Sequence, residues 1–310
     1  MKYFRDTMDF NIREPSSIAL GKFDGLHQGH RKLLEEIKNK AESGCKSVVF
    51  TFDIPPGSLS DKNYKVLLTN QEKEGLFSEA GIDYVIECPF TDEFKKMEPD
   101  EFLRFLTSRI DVKQIAVGTD FRFGRDRKGS CRDLIERERE FGYQTVVVDK
   151  VMDQGKDISS TRIREHIQNG EMEEANRLLG YSYFLTAGVQ HGSGVGRRIG
   201  APTVNQLPPE NKLLPKNGVY VSVAVLDDRC WYGVSDIGYK PTIEGEHPLG
   251  VETHLFDFDE EVYDREIRVA FLSYLRPEQR FDSVSDLSRQ VAKDCENAQN
   301  ICENITLQRF

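Results

Sequence analysis

The sequence predicts an α/β chain in two parts: a doubly wound, Rossmann-like parallel sheet, then a small antiparallel barrel closed by one helix. Three observations carry this expectation. Over the first half, short apolar runs alternate with stretches of helical periodicity. Near residue 183 the alternation stops, and strand-like runs follow one another with only turns between them. The 310 residues leave room for two cores of ordinary size.

The elements follow in order. "SIALG", "KSVVFTF", "DYVIE", "QIAVG" and "YQTVVVD" are apolar enough for strands buried on both faces. After "HQGH", Leu33, Leu34, Ile37 and Ala41 recur at helical spacing. "EPDEFLRFL" opens with acids and a proline, which suit a helix start, and "CRDLIEREREF" is a further helix. Residues 160–180 read as two short helices joining domains over 1–182 and 183–310. Then come "YFLTAGVQ", "GVYVSVAVL", "CWYGVSDIG", "ETHLFDF" and "IRVAFLSYL", with turn signals at Asn217-Gly218 and around Asp227. The closing helix over 283–305 is expected to turn Val284, Leu287, Val291 and Ala292 to one face.

Composition excludes several classes. The net charge of -10 opposes general nucleic-acid binding, which needs a basic footprint. No apolar run approaches the length of a membrane helix, and the first residues lack the apolar core of a secretory signal. Cys45, Cys88, Cys131, Cys230, Cys295 and Cys302 are scattered without zinc spacing, so reduced thiols in a cytoplasmic protein are expected. Small-molecule substrates are the expected partners, with the chain a monomer or a weak homo-oligomer.

Three stretches of the first half carry chemistry. "GKFDGLHQGH" lies where the first strand turns into the first helix, at the sheet edge where such folds bind ligands. His27 and His30 there could hold phosphate beside a helix start that favours anions, with Gly21 and Gly29 allowing close approach; an idle pair at a turn is the alternative. Zinc lacks a third ligand nearby. "VGTDFRFGRDRKGS" follows another strand of the same sheet and carries Asp120, Phe123 and several cations; a charged surface loop is its plain reading. "ISSTRIREHI" places Ser159 and Ser160 at a helix start, followed by Arg164, and a capped surface helix would look the same.

Together these stretches resemble the nucleotidyltransferase superfamily with the His-x-Gly-His signature. More narrowly, the chain resembles the prokaryotic bifunctional riboflavin kinase/FAD synthetase family. "LLTNQEKEGLFSEAGID", "CPFTDEF", "VGTDFRFG", "SSTRIR" and "ANRLLG" match in order. The resemblance implies that His27 and His30 act at the ATP phosphates, with Gly21, Phe23, Gly29, Ser159, Ser160 and Arg164 completing that site. It places Asp120 and Phe123 near the flavin or nucleotide.

The second half adds "GVQHGSGVGRRIGAPTVN". It fails both the dinucleotide fingerprint, because Arg197 stands where a glycine is needed, and the P-loop pattern. In an extended segment Thr203 and Asn205 share a face, and their oxygens are hard ligands suited to Mg²⁺ on ATP phosphates. The family's riboflavin kinase domain, a six-stranded barrel, has this Pro-Thr-x-Asn motif after a glycine-rich flap that here includes Gly192 and Gly200. The resemblance further implies Glu252 as the catalytic carboxylate, where the residue alone would read as a charge on the solvent face of a strand; Arg276 is a candidate flavin or nucleotide contact, with a plain surface arginine as the alternative. The chain departs from the family at Lys22, Asp236 and Ile243, and "TFDIPPG" only loosely matches its motif. The expected activity is conversion of riboflavin and ATP to FMN, then of FMN and ATP to FAD. A single retained activity and a flavin-binding regulator remain alternatives at this level.

Overall fold

A run such as KSVVFTF has no charged residue after Lys46 and apolar side chains on both faces, so it suits a strand covered on both sides. In the computed structural model, which describes residues 1–41, 43–53, 64–192, 196, 200–227, 229–239 and 249–303, that run is the inner strand β3 (Lys46–Phe52) of a parallel sheet. The other sheet strands are β1 (Lys2–Phe4), β2 (Ile12–Leu20), β4 (Tyr84–Cys88), β5 (Ile110–Gly118) and β8 (Gln144–Val148). Their order is β1-β4-β3-β2-β5-β8, with every neighbouring pair parallel. The order reverses between β2 and β5. Their carboxyl ends therefore flank the switch point, the crevice where doubly wound sheets bind ligands.

The expected first helix is α1 (Gln28–Ala41), which buries Leu33, Leu34 and Ile37. Helix α2 (Asn70–Glu79) begins with a reciprocal capping box: Glu72 N donates to Thr69 Oγ1 (3.2 Å) and Thr69 N donates to the Glu72 carboxylate (2.9 Å). Short α3 (Asp92–Lys96) precedes α4 (Pro99–Arg109), the helix that opens with acids and proline. The expected helix over 131–141 is two pieces, α5 (Cys131–Glu136) and α6 (Glu138–Phe141), because Arg137 leaves helical geometry between them. Two small ribbons complete this part, β6 (Arg122–Phe123) with β7 (Gly129–Ser130), and β9 (Met152–Asp153) with β10 (Lys156–Asp157). One core face is built of phenylalanines. Phe10, Phe50, Phe94, Phe102 and Phe105 meet largely edge to face, the geometry their ring quadrupoles favour.

The second half closes into the expected six-stranded antiparallel barrel. Its strands are β11 (Phe184–Gln190), β12 (Thr203–Gln206), β13 (Gly218–Leu226), β14 (Arg229–Tyr239), β15 (Leu249–Leu255) and β16 (Glu266–Arg276). Around the barrel they run β11-β12-β15-β14-β13-β16. Some buried polar groups of the barrel pair with one another: Ser235 and Thr253 share a hydrogen bond (2.7 Å), and Gln206 Nε2 donates to the Ala187 and Ile267 carbonyls (2.7 and 2.8 Å), while Gln206 Oε1 and Ser222 Oγ are buried without a partner among the described residues.

Two expectations are corrected. The chain divides into compact units Met1–Ser160 and Thr161–Phe310, not at 182/183. Helix α7 (Ser160–Asn169) spans the boundary, and α8 (Met172–Leu179) packs on β16 of the barrel, with Lys216 N donating to Ile167 O (3.3 Å) at the end of α7. Asn176 on α8 fastens that helix, its Nδ2 donating to Phe271 O (2.9 Å) and its Oδ1 accepting from Tyr183 N (2.7 Å). The closing helix α9 (Val284–Cys302) also shows a different face from the one expected. Val284 and Ala292 are exposed, and the buried positions are Asp294 and Ala298, with Leu287 and Val291 half-buried. The helix is rotated to bring an acid inward, toward Arg276.

Candidate active sites

The first site is built on the turn between β2 and α1. Gly21 N donates to Phe50 O (3.2 Å), and Thr51 Oγ1 donates to the Lys22 carbonyl (3.2 Å), so the turn leaves the sheet anchored to β3. Phe23 and Leu26 both adopt positive φ, an uncommon backbone for such residues and one that needs support from its surroundings. Asp24 supplies that support. Its buried carboxylate accepts from Leu67 N (2.9 Å) and the Tyr64 hydroxyl (3.2 Å), and its carbonyl accepts from Ser160 Oγ (2.7 Å). Phe23 is fully buried, edge-on to Phe77, and its ring lies 5.3 Å from that of His30.

This frame presents two stacked imidazoles. The rings of His27 and His30 are 3.8 Å apart, centre to centre, and 21° from parallel. Gly29 makes room for them, since a methyl there would come within 3.1 Å of His27 Cε1. Burial holds His27 down at about 4, against an upward pull from Asp120. Burial also holds His30 well below the usual histidine range, and neighbouring His27 adds to this. Both rings are therefore neutral near pH 7. Among the described residues, the Nδ1 atoms of both are buried without a hydrogen-bond partner. Leaving a buried polar atom unsatisfied costs about 1–3 kcal/mol. Two such atoms at a helix start on the switch point mark a place built for something that arrives from outside.

The neighbouring residues divide into those at this site and those in support. Asp120, just past β5, is exposed and pairs with Lys150 (3.3 Å). Phe123 is 7% exposed and packs on Phe102 and Phe121, so it has little surface left for a ligand; Phe121 carries the more open ring. Ser159 and Ser160 lie at the start of α7, and Arg164 sits one turn further along that helix. Asp24 was not singled out from sequence. A carboxylate directly before a glycine, at the turn from the first apolar strand to the first helix, was the signal available.

The second site lies on the outer face of the barrel. Register places Gln190, Asn205, Glu252 and Asp236 in one row across β11, β12, β15 and β14. Thr203 and His254 form the next pair on that face. Asn205 and Glu252 are directly opposed residues, so their side chains emerge together. Asn205 Nδ2 points back to Thr203 Oγ1 and O (3.3 Å each). Gly192 allows close passage over Asn205: a methyl on it would fall 2.5 Å from Nδ2. Gly200 adopts the left-handed backbone that glycine favours, just before the Ala-Pro-Thr turn into β12. Arg276 is engaged inside the fold. It grips Asp294 of α9 through Nε (3.0 and 3.1 Å) and Nη2 (2.7 Å). Residues 193–195 and 197–199 of the flap, Ile243 and residues 54–57 of "TFDIPPG" lie outside the described residues.

Comparisons with known proteins agree with this division. A family model described as FAD synthetase matches residues 9–162, and one described as riboflavin kinase matches 179–302. Relatives named bifunctional riboflavin kinase/FMN adenylyltransferase include that of Listeria monocytogenes, 34% identical with 89% of each chain covered. That of Bacillus subtilis is 33% identical over 94% of this chain and 93% of its own, and that of Escherichia coli K12 is 34% identical over 91% of each. A crystal structure from Streptococcus pneumoniae, of a protein named for macrolide efflux, shares the fold with a TM-score of 0.85. It is 29% identical and covers 96% of this chain and 98% of that one. Among the described residues, no helix of the present chain is long and apolar enough to cross a membrane. With one stacked histidine site, one barrel-face carboxylate site and relatives matched along nearly their whole length, the chain belongs to the bifunctional riboflavin kinase/FMN adenylyltransferase family.

Proposed function

We propose that the chain makes FMN and then FAD at two chemically distinct sites. The barrel transfers the γ-phosphoryl group of ATP to the 5′-hydroxyl of riboflavin, giving FMN and ADP. The α/β unit transfers the adenylyl group of a second ATP to FMN, giving FAD and pyrophosphate. The observation that carries the reading is the pair of buried, unpartnered Nδ1 atoms on His27 and His30 at the switch point.

In adenylyl transfer a phosphate oxygen of FMN attacks Pα of ATP, and the bond from Pα to the pyrophosphate oxygen breaks. The nucleophile is already anionic, so alignment and charge stabilisation do the work and no strong base is needed. Neutral imidazoles suit this role as hydrogen-bond donors to phosphate. Ser159, Ser160 and Arg164 supply further donors, and Gly21 and Gly29 leave space for them. Asp120 lies by the flavin or nucleotide, with Phe123 supporting from beneath.

In the kinase step the nucleophile is a neutral hydroxyl, which gains from a base. Glu252 takes the hydroxyl proton as oxygen attacks Pγ. The donor set beside it fits Mg²⁺: the Thr203 hydroxyl and the Asn205 carbonyl are hard oxygens, and the Asn205 amide is turned back toward Thr203. These two residues would hold the ion, which would offset charge on the ATP phosphates. The substrates are small molecules, with no nucleic acid or membrane partner, for a cytoplasmic monomer or weak oligomer.

One incubation with riboflavin, ATP and Mg²⁺, resolved by chromatography, tests the reading. Both FMN and FAD are expected. Glu252→Gln should lower FMN formation by about 10²–10⁴-fold while FAD still forms from supplied FMN. The His27→Ala/His30→Ala double variant should do the reverse. Loss of both steps in either folded variant would refute two separate sites. Flavin binding without turnover would indicate a sensor.

A further inference from the structure

The barrel-face site depends on the direction of one peptide plane, and a histidine holds that plane. Thr203 opens β12, and Gly200, Ala201 and Pro202 lead into it. Gly200 is left-handed at φ 78°, while Pro202 fixes its own φ and holds Ala201 to extended backbone. Proline has no N–H, so Pro202 brings only its carbonyl to the turn. That carbonyl belongs to the same planar unit as the Thr203 N–H, so its direction sets how Thr203 leaves the turn. His254 Nδ1 donates to it (2.9 Å). One residue earlier, Ala201 N donates to Gly196 O (2.9 Å), so the turn is tied at two adjacent residues.

His254 stands at the site it would serve. It lies directly opposite Thr203 in the ladder, and two residues from Glu252 on the same face of β15. Its ring is half-buried and meets Phe256 edge to face, with centroids 6.0 Å apart. The acceptor's chemistry fixes the tautomer. A carbonyl only accepts, so Nδ1 carries the hydrogen, and imidazole and imidazolium donate there alike. Thr203 is β-branched and has few χ1 rotamers, so a fixed backbone plane leaves its hydroxyl few directions. Asn205 Nδ2, 3.3 Å from both Thr203 Oγ1 and Thr203 O, narrows them further.

We infer that His254 is a positioning residue of the kinase site: through the Pro202 carbonyl it aims the Thr203 hydroxyl at the place assigned to Mg²⁺ on the ATP phosphates. This rests on the reading of Thr203 and Asn205 given above. Thr203→Val tests that reading, and the His254 variants test the positioning.

The experiment compares His254→Asn, His254→Gln and Thr203→Val in the full chain. An asparagine amide nitrogen can fall where Nδ1 lies, and a glutamine amide nitrogen where Nε2 lies. Calorimetry follows the binding of ADP with Mg²⁺. Product assays give KM for ATP and riboflavin, and the Mg²⁺ needed for half-maximal FMN formation. His254→Gln should weaken MgADP binding and raise the Mg²⁺ requirement by about three- to tenfold, the worth of one hydrogen bond. His254→Asn should stay within about twofold of the native chain. Riboflavin KM, and FAD formation from supplied FMN, should hold in both. Normal MgADP binding by Thr203→Val would refute the reading of Thr203, and the positioning with it. A deficient Thr203→Val beside a His254→Gln that behaves as the native chain would overturn the positioning alone. So would the opposite rescue, with Gln retained and Asn deficient, because the ring would then act through Nε2 on the nucleotide itself. Equal losses in both His254 variants, or a raised riboflavin KM with a lowered melting temperature, would also overturn it, since the role would then be general to the barrel.

Discussion

Replacing Asp294 with asparagine should strip the barrel of its helix clasp. In the native chain the Arg276 guanidinium contacts the Asp294 carboxylate three times within 3.1 Å, and Gln290 Nε2 donates to the same carboxylate (2.9 Å). The two side chains are 17% and 5% exposed. Asparagine keeps the shape and removes the charge, leaving Arg276 buried without a counter-ion. Breaking a buried pair by removing one partner costs about 3–5 kcal/mol. Arg276 retains some solvent and keeps its bond to the Pro277 carbonyl, so the low end, about 3 kcal/mol, applies. For a unit of this size that corresponds to a fall in melting temperature of about 10 °C. The assay is built in: the chain's one tryptophan, Trp231, sits on β14, so its fluorescence follows the barrel unit in urea or heat. The double replacement Arg276→Leu/Asp294→Leu removes both charges and should regain at least half of the loss. A drop below about 1 kcal/mol in the single variant would mean the pair behaves as an ordinary surface ion pair, and the reasoning fails. If riboflavin KM rises well below the melting transition, Arg276 also serves the flavin.

Three further outcomes are expected. Gly29→Ala places a methyl 3.1 Å from His27 Cε1, which should tilt the ring stack and lower FAD formation several-fold while FMN formation holds, as parallel product assays would show. Gly192→Ala places a methyl 2.5 Å from Asn205 Nδ2 and should do the opposite, cutting FMN formation and sparing FAD synthesis from supplied FMN. Acid should weaken the α/β unit in a defined window. His27 titrates at about 4 in the folded chain and near its usual 6.5 when unfolded, so between these values the unfolded state binds more protons. Stability is then complete above about 6.5 and falls as pH drops toward 4, by up to about 3 kcal/mol from this residue. Urea titrations by circular dichroism at pH 5 and 7.5 should show the loss, and His27→Gln should reduce it.

The parts that were legible in the sequence were those with local causes. The inner strands announce themselves as apolar runs, and the first helix by Leu33, Leu34 and Ile37. The sixth sheet strand, Lys2–Phe4, was not legible: three residues with a charge carry no period, and it exists only because β4 offers an edge. Helix α2 could have been read from Thr69 and Glu72, whose spacing is a capping box. The face of α9 was misread because Asp294, a charge, breaks the apolar pattern at an inward position. Its reason lies on a strand eighteen residues earlier, in Arg276. The same holds at the sites. His27 and His30 were visible as a motif, but their stacking, their neutrality and their unpartnered nitrogens follow from burial that no spacing reports.

The two sites differ in the way their nucleophiles require. Transfer to FMN begins from a phosphate that is already charged, and the two carboxylates described beside the histidines are both engaged elsewhere. Asp24 is occupied with backbone and Tyr64, and Asp120 is turned to Lys150. Transfer to riboflavin begins from a hydroxyl, and there a half-buried carboxylate, Glu252, stands opposite Asn205 in the barrel register. A base placed at the first site would repel both the incoming phosphate and the triphosphate. Housing the reactions in separate units removes that conflict.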